Sequence, residues 1–183
     1  MKVLVSVASH HGSTSEIAEA ITGELRASGV EAELRAADAV QDITGYNAVV
    51  FGSAVYTGEW LAAAKCFARA HAWALRTMPV WLFSSGPIGA GDPKPLGDPA
   101  EIPELLKLTG AREHKLFAGK LDRQSLGIAE RLVTRVAQAL EGDFRDWDAV
   151  RAWARNIAAS LATVPKVPAS LRRSAHHAPG RSA

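Results

Sequence analysis

Hydroxyls, imidazoles and a glycine crowd the stretch Ser9-His10-His11-Gly12-Ser13-Thr14, between two neighbours of very different character. Before it, residues 3–7 (Val-Leu-Val-Ser-Val) are short, β-branched and uncharged, as expected of a strand buried on both faces of a parallel sheet. After it, Ile17, Ile21 and Leu25 recur every fourth residue, which predicts one apolar stripe of a helix. Ser13 and Glu16 have the spacing of a capping box, so the helix is expected to start near Ser13. A strand, a hydroxyl-rich turn and a helix N-terminus together make a phosphate site, because the free N–H groups and the positive end of the helix dipole point at whatever occupies the turn. Such a turn can bind a phosphate dianion with hydroxyls and amides, without a lysine or a metal.

Other chemistries lack their residues. There is no GxGxxG, and no Gly-Lys-Ser/Thr follows the turn, so neither a dinucleotide fingerprint nor a Walker A loop is present. Gly-x-Ser-x-Gly is missing, which excludes a nucleophile elbow. His10 and His11 have no carboxylate or third histidine at ligand spacing, so no metal site is expected. Cys66, the single cysteine, opens no phosphate loop; it reads as a packed thiol inside an alanine-rich helix.

Alternating strands and helices must position the turn. Residues 30–35 alternate weakly and predict an edge strand; residues 47–52, 80–84 and 114–118 are further apolar strands. Helices are expected over 60–76, 101–108, 125–140 and 147–161, and residues 86–103, with five prolines, over an irregular loop. Trp73, Trp147 and Trp153 read as packing residues. This pattern predicts an α/β three-layer sandwich around a doubly wound, five-stranded parallel sheet of order 2-1-3-4-5. In such a sheet a ligand lies beyond the C-terminal strand ends where the winding reverses, so the loops after strands one, three and four should surround it. The second of these runs Ser53-Ala54-Val55-Tyr56-Thr57-Gly58-Glu59-Trp60 and the third Ser84-Ser85-Gly86-Pro87. Glycines at 52 and 58 bracket Tyr56 and let backbone approach a flat ligand. Tyr56 and Trp60 are placed to stack on an aromatic ring, and the third loop to meet the polar edge of a heterocycle.

Composition sets the frame. A chain of 183 residues, 48% hydrophobic and 22% charged, is ordinary for one globular domain. No apolar run approaches the ~20 residues that span a bilayer, and the N-terminus enters a strand with no leader pattern, so a cytoplasmic location is the expectation. Residues 1–163 are read as the domain and 164–183 as a disordered basic tail rich in Pro, Ser and Ala. The tail holds Lys166, Arg172, Arg173 and Arg181 and no acid, so of 21 basic residues 17 remain against 19 acidic ones in the body. The body is nearly neutral. No nucleic-acid partner is expected, and at most a peripheral membrane contact through the tail.

In these loops the chain resembles the flavodoxin-like superfamily, and within it the bacterial quinone-dependent protoporphyrinogen oxidase branch. The resemblance rests on the Ser-x-x-Gly-x-Thr turn from Ser9, the Gly-Ser-Ala-Val-Tyr-Thr-Gly block ending at Gly58, and residues 80–87, 115–122 and 143–147 (Asp-Phe-Arg-Asp-Trp). It covers about residues 1–162. It implies an FMN whose phosphate lies against Ser9 to Thr14, and whose ring lies between residues 53–58 and 84–87. It also implies electron transfer from an organic substrate, a porphyrinogen in the oxidase branch, to a quinone. This chain departs from that branch at Tyr56, where some oxidases carry arginine, and over 123–142, which is less aromatic and less basic than the corresponding quinone- and membrane-linked insertion. Two other functions remain open: a flavodoxin-type electron carrier, and an interaction module that has lost the cofactor. No residue is singled out as catalytic.

Overall fold

The computed structural model describes residues 1–86, 88–89, 92–95, 97–121 and 142–163. The expected helix over 125–140, Pro87 and the tail from 164 lie outside the described residues. In chain order the elements are β1 (Lys2–Ala8), α1 (Ser13–Ala27), β2 (Glu31–Ala36), β3 (Ala48–Tyr56), β4 (Glu59–Trp60), α2 (Ala62–Ala70), α3 (Ala72–Leu75) and β5 (Val80–Gly86). There follow β6 (Ile88–Gly89), β7 (Asp92–Pro95), α4 (Ile102–Thr109), β8 (Glu113–Ala118), β9 (Lys120–Leu121), β10 (Gly142–Asp143) and α5 (Trp147–Ala162).

The main sheet runs β2-β1-β3-β5-β8 with every neighbouring pair parallel. Counting those five strands alone, this is the 2-1-3-4-5 order that the sequence predicts, with β2 at one edge. Side chains alternate across the sheet as strand geometry demands. Val3, Val5, Val7, Val50, Trp81 and Phe83 face one side, where Ile17, Ile21 and Leu25 of α1 and Val150, Trp153 and Ile157 of α5 cover them. Leu4, Val49, Phe51, Val80 and Leu82 face the other, under Phe67 of α2, Leu75 of α3 and Ile102 and Leu105 of α4. The near-uniform apolarity of β1, β3 and β5 is thus the consequence of two covered faces.

Four expectations are corrected. The helix over 60–76 is two helices, which part at His71, whose backbone leaves the helical region (φ −108°, ψ 9°) while its ring packs on Phe67. Residues 86–103 are not wholly irregular, since β6 and β7 pair antiparallel. Cys66 is exposed rather than packed: the buried positions of α2 are Ala64, Phe67 and Ala68, and residue 66 lies on the opposite face. Trp73 is 62% exposed, whereas Trp147 and Trp153 do pack into the core.

Candidate functional site

β1, β3 and β5 end side by side at the middle of the sheet, so the three loops of interest rise from adjacent strands at the reversal of winding. The first loop is a tight turn. Ser9 Oγ accepts the Gly12 N–H at 3.1 Å, and Gly12 stands at the N-cap with φ 83° and carries no capping side chain. Ser13 is already the first helical residue, so the expected capping box does not form. The first helix-closing bond is Glu16 N–H to Gly12 C=O at 3.0 Å. By helix geometry the N–H groups of Ser13, Thr14 and Ser15 therefore have no acceptor within α1. His10 and His11 are exposed on the turn, and Thr14 is buried.

The second loop is a hairpin. Tyr56 pairs with Glu59, and Thr57 (φ 51°) and Gly58 (φ 84°) form its two central positions, the backbone form that two-residue hairpins favour. Tyr56 is half-buried and joins this loop to the first, with its ring edge-on to His10 (5.6 Å between centroids) and His11 (6.0 Å). Ser53 and Ala54 are buried within β3 and Val55 is half-buried. Ser53 Oγ donates to Ala54 C=O at 2.7 Å and accepts the Leu61 N–H at 2.9 Å, so its hydroxyl ties the hairpin to the start of α2. Trp60 does not stack on a ligand. It is 2% exposed, edge-on to Phe51 at 5.6 Å, because an indole beside this core gains more by burial than at the rim. The carboxylate of Glu101 accepts its backbone N–H.

At the third position β5 continues through Ser84, Ser85 and Gly86, all buried. Ser84 is part of a polar chain through the interior. The Trp60 indole donates to Ser84 Oγ at 2.6 Å, and Ser84 Oγ lies 2.8 Å from His114 Nε2. His114 Nδ1 is 3.2 Å from Asp98 Oδ1, a close contact that falls short of an aligned hydrogen bond. The carboxylate favours a proton on Nδ1, which leaves Nε2 to accept from the Ser84 hydroxyl and a Ser84 lone pair for the indole. Burial pushes the His114 imidazole below its ordinary value against the opposing pull of Asp98, which keeps the ring neutral. Ser, His and Asp at these distances have the spacing of a hydrolytic triad, but Ser84 is 0% exposed and no carbonyl reaches it. The chain braces β4, β5 and β8. Gly86 C=O accepts the Gly119 N–H at 3.2 Å, which ties the end of β5 to the β8–β9 junction.

One group near the turn is not singled out by the sequence reading. Arg145 reaches back across the chain to Ser13 and Glu16; the cluster of charged and aromatic residues at 143–147 was the only hint of it. Among the described residues no three His, Cys, Asp or Glu side chains gather as a metal site.

The family model for the flavodoxin domain matches residues 4–148. The chain belongs to the flavodoxin domain family. Solved structures similar to this domain include a flavodoxin from the domain Archaea, at 16% identity and TM-score 0.58 over 88% of this chain and 99% of that one. A Pseudomonas aeruginosa flavodoxin mutant matches at 18% identity and TM-score 0.57, over 88% and 99%. Rubredoxin oxygen:oxidoreductase from Desulfovibrio gigas matches at 17% identity and TM-score 0.60, over 88% of this chain and 36% of that one. At these identities the likeness shows the fold. No curated protein matches, and nothing in the matches is specific to the protoporphyrinogen oxidase branch.

FMN is the cofactor of this flavodoxin domain, and the donor set fits it. A phosphate dianion needs N–H donors free of other acceptors, and the uncapped start of α1 supplies them. The turn from Ser9 to Thr14 has no carboxylate to repel it, and the first one after it along the chain, Glu16, is paired with Arg145.

Proposed function

We propose that this flavodoxin domain holds one non-covalent FMN and passes electrons between partner molecules as an electron-carrier type of flavoprotein. The phosphate is received by Ser9, His10, His11, Gly12, Ser13 and Thr14. The ring lies between residues 53–58, the end of β3 with its hairpin turn, and residues 84–87 that follow the core of β5 in sequence. The carrying observation is the uncapped helix start at the winding reversal, with the Tyr56 hairpin packed against it. When bound, FMN supplies the redox chemistry. The chain's own residues bind it and orient it, and the Trp60–Ser84–His114 chain keeps the strand ends beneath it in register.

One observation favours a second reading. Carriers that dock on basic partners gain from a strongly acidic surface, whereas residues 1–163 hold 17 basic against 19 acidic residues. A nearly neutral body, together with the resemblance of its loop sequences to protoporphyrinogen oxidases, supports an oxidoreductase that moves electrons from a porphyrinogen or similar organic substrate to a quinone. Contact with a quinone-bearing membrane would be peripheral, since among the described residues no helix is long and apolar enough to cross one.

The test is an absorption spectrum after FMN addition and desalting. Retained flavin peaks near ~370 and ~450 nm, lost when Ser13 and Thr14 become alanine together with Gly12→Val, support the site. A folded but colourless protein overturns it. Protoporphyrinogen with menaquinone then divides the readings: turnover of both favours the oxidase, and rapid exchange of electrons with a redox protein alone favours the carrier.

A further inference from the structure

Arg145 is 3% exposed in its side chain and lies beside the first turn of α1. Its Nε donates to Asp143 Oδ1 at 2.8 Å and its Nη2 to Asp143 Oδ2 at 2.6 Å, a two-pronged carboxylate clasp. Its Nη1 donates to Glu16 Oε2 at 2.8 Å and to the Ser13 carbonyl at 3.1 Å. The guanidinium plane rests on Trp147, 4.5 Å from the ring centroid. Four of the five N–H donors are thus engaged inside the protein, and two carboxylates more than balance the charge. Arg145 is not built to grip an anion itself.

What it grips is the helix start. Glycine at the N-cap and the absence of a side-chain cap leave the first turn of α1 open to fraying until a ligand closes it. Arg145 seizes that turn from outside, at Ser13 and Glu16, and is anchored to β10 by Asp143 and to α5 by Trp147. It also draws the Glu16 carboxylate into an ion pair at the edge of the phosphate turn.

We infer that Arg145 is a positioning residue for the cofactor phosphate, holding the uncapped first turn of α1 in its anion-receiving form through Ser13 and Glu16. This rests on the reading that the turn receives the FMN phosphate. It separates two parts of cofactor binding, because the phosphate end depends on Arg145 while the ring end, at the Tyr56 hairpin, does not.

The test is flavin-fluorescence titration of the full chain with FMN and with riboflavin, which lacks the phosphate. Arg145→Met is expected to weaken FMN about ten- to hundredfold, the scale of charge-assisted hydrogen bonds, and to leave riboflavin within about twofold of wild type. Arg145→Lys keeps the charge without the planar fork and recovers little; Glu16→Gln, on an exposed side chain, weakens FMN in the same selective way by a smaller factor. Asp146→Ala removes the neighbouring N-cap of α5, where Asp146 Oδ1 accepts the Ala149 N–H at 2.9 Å, and is expected to lower stability while leaving FMN affinity unchanged. Equal losses for FMN and riboflavin in Arg145→Met, or no loss of FMN in it, overturn the inference. If Arg145→Met does not fold, Glu16→Gln decides: wild-type FMN affinity there overturns it too. A wild-type protein that binds neither flavin sinks the FMN site itself, a result separate from either of these.

Discussion

Gly52 shows how little of a residue's purpose its type declares. In the sequence it reads as one of two glycines that admit a flat ligand beside Tyr56. In the fold it sits inside β3, and a Cβ there would lie 2.5 Å from the Phe83 ring and 2.5 Å from the Phe83 carbonyl oxygen. The carbonyl belongs to the hydrogen-bonded ladder and cannot turn aside. Gly52→Ala is therefore expected to destabilise the domain by about 3 kcal/mol, at the upper end of what overpacking costs, read as a lower urea midpoint with an unchanged slope. A midpoint within error of wild type would show that β3 and β5 separate freely. Trp60 and Ser84 carry the same lesson. Their types suit a ligand, but the interior claims both, and each satisfies the other's polar group. Sequence spacing finds a cluster of useful groups at three strand ends; only packing decides which groups turn inward.

At the scale of elements the sequence was most legible where periodicity was strong. β1, α1, β3, β5 and α5 lie where their apolar runs and stripes put them, since two covered faces and one covered stripe leave distinct signatures. What escaped are features set by partners distant along the chain: the break at His71, the missing cap at Ser13, and the hold of Arg145 on α1, 132 residues away. The link from β4 to β8 belongs here as well, and it has a pH signature. Neutral His114 faces Asp98 and Ser84, and Glu113, next to it on its own strand, adds negative charge. Protonation would put a second donor at Nε2, against a Ser84 hydroxyl that already donates there. Burial lowers the folded-state value, so the unfolded chain takes up the proton first. Stability is full above about pH 6.5, the unfolded value, and falls as pH drops toward the folded one, by at most about 1.4 kcal/mol per pH unit. Urea midpoints between pH 7.5 and 5 should decline, and His114→Gln should flatten the decline. An equal decline in the variant would assign it to other groups.

For the whole molecule, the three loops belong to strands that the rest of the domain holds rigidly, with α1 and α5 on one face and α2 to α4 on the other. A ligand bound across the ends of β1, β3 and β5 therefore draws on the stability of the complete sandwich, because unfolding any of those strands destroys the site. Binding to the native state alone adds RT ln(1 + [L]/Kd), about 2.7 kcal/mol at a hundredfold excess over Kd. For a chain of this length each kcal/mol raises the thermal midpoint by roughly 2–4 °C. FMN at that excess is thus expected to lift the midpoint by roughly 5–10 °C. Inorganic phosphate, which engages the turn without the hairpin, should lift it less and only at far higher concentration. A shift that FMN and phosphate share at equal concentrations would place all of the binding in the first turn and none at the Tyr56 hairpin. A shift with FMN that survives Gly12→Val would place it outside that turn. Either result breaks the link between the doubly wound topology and a site shared among its central strands.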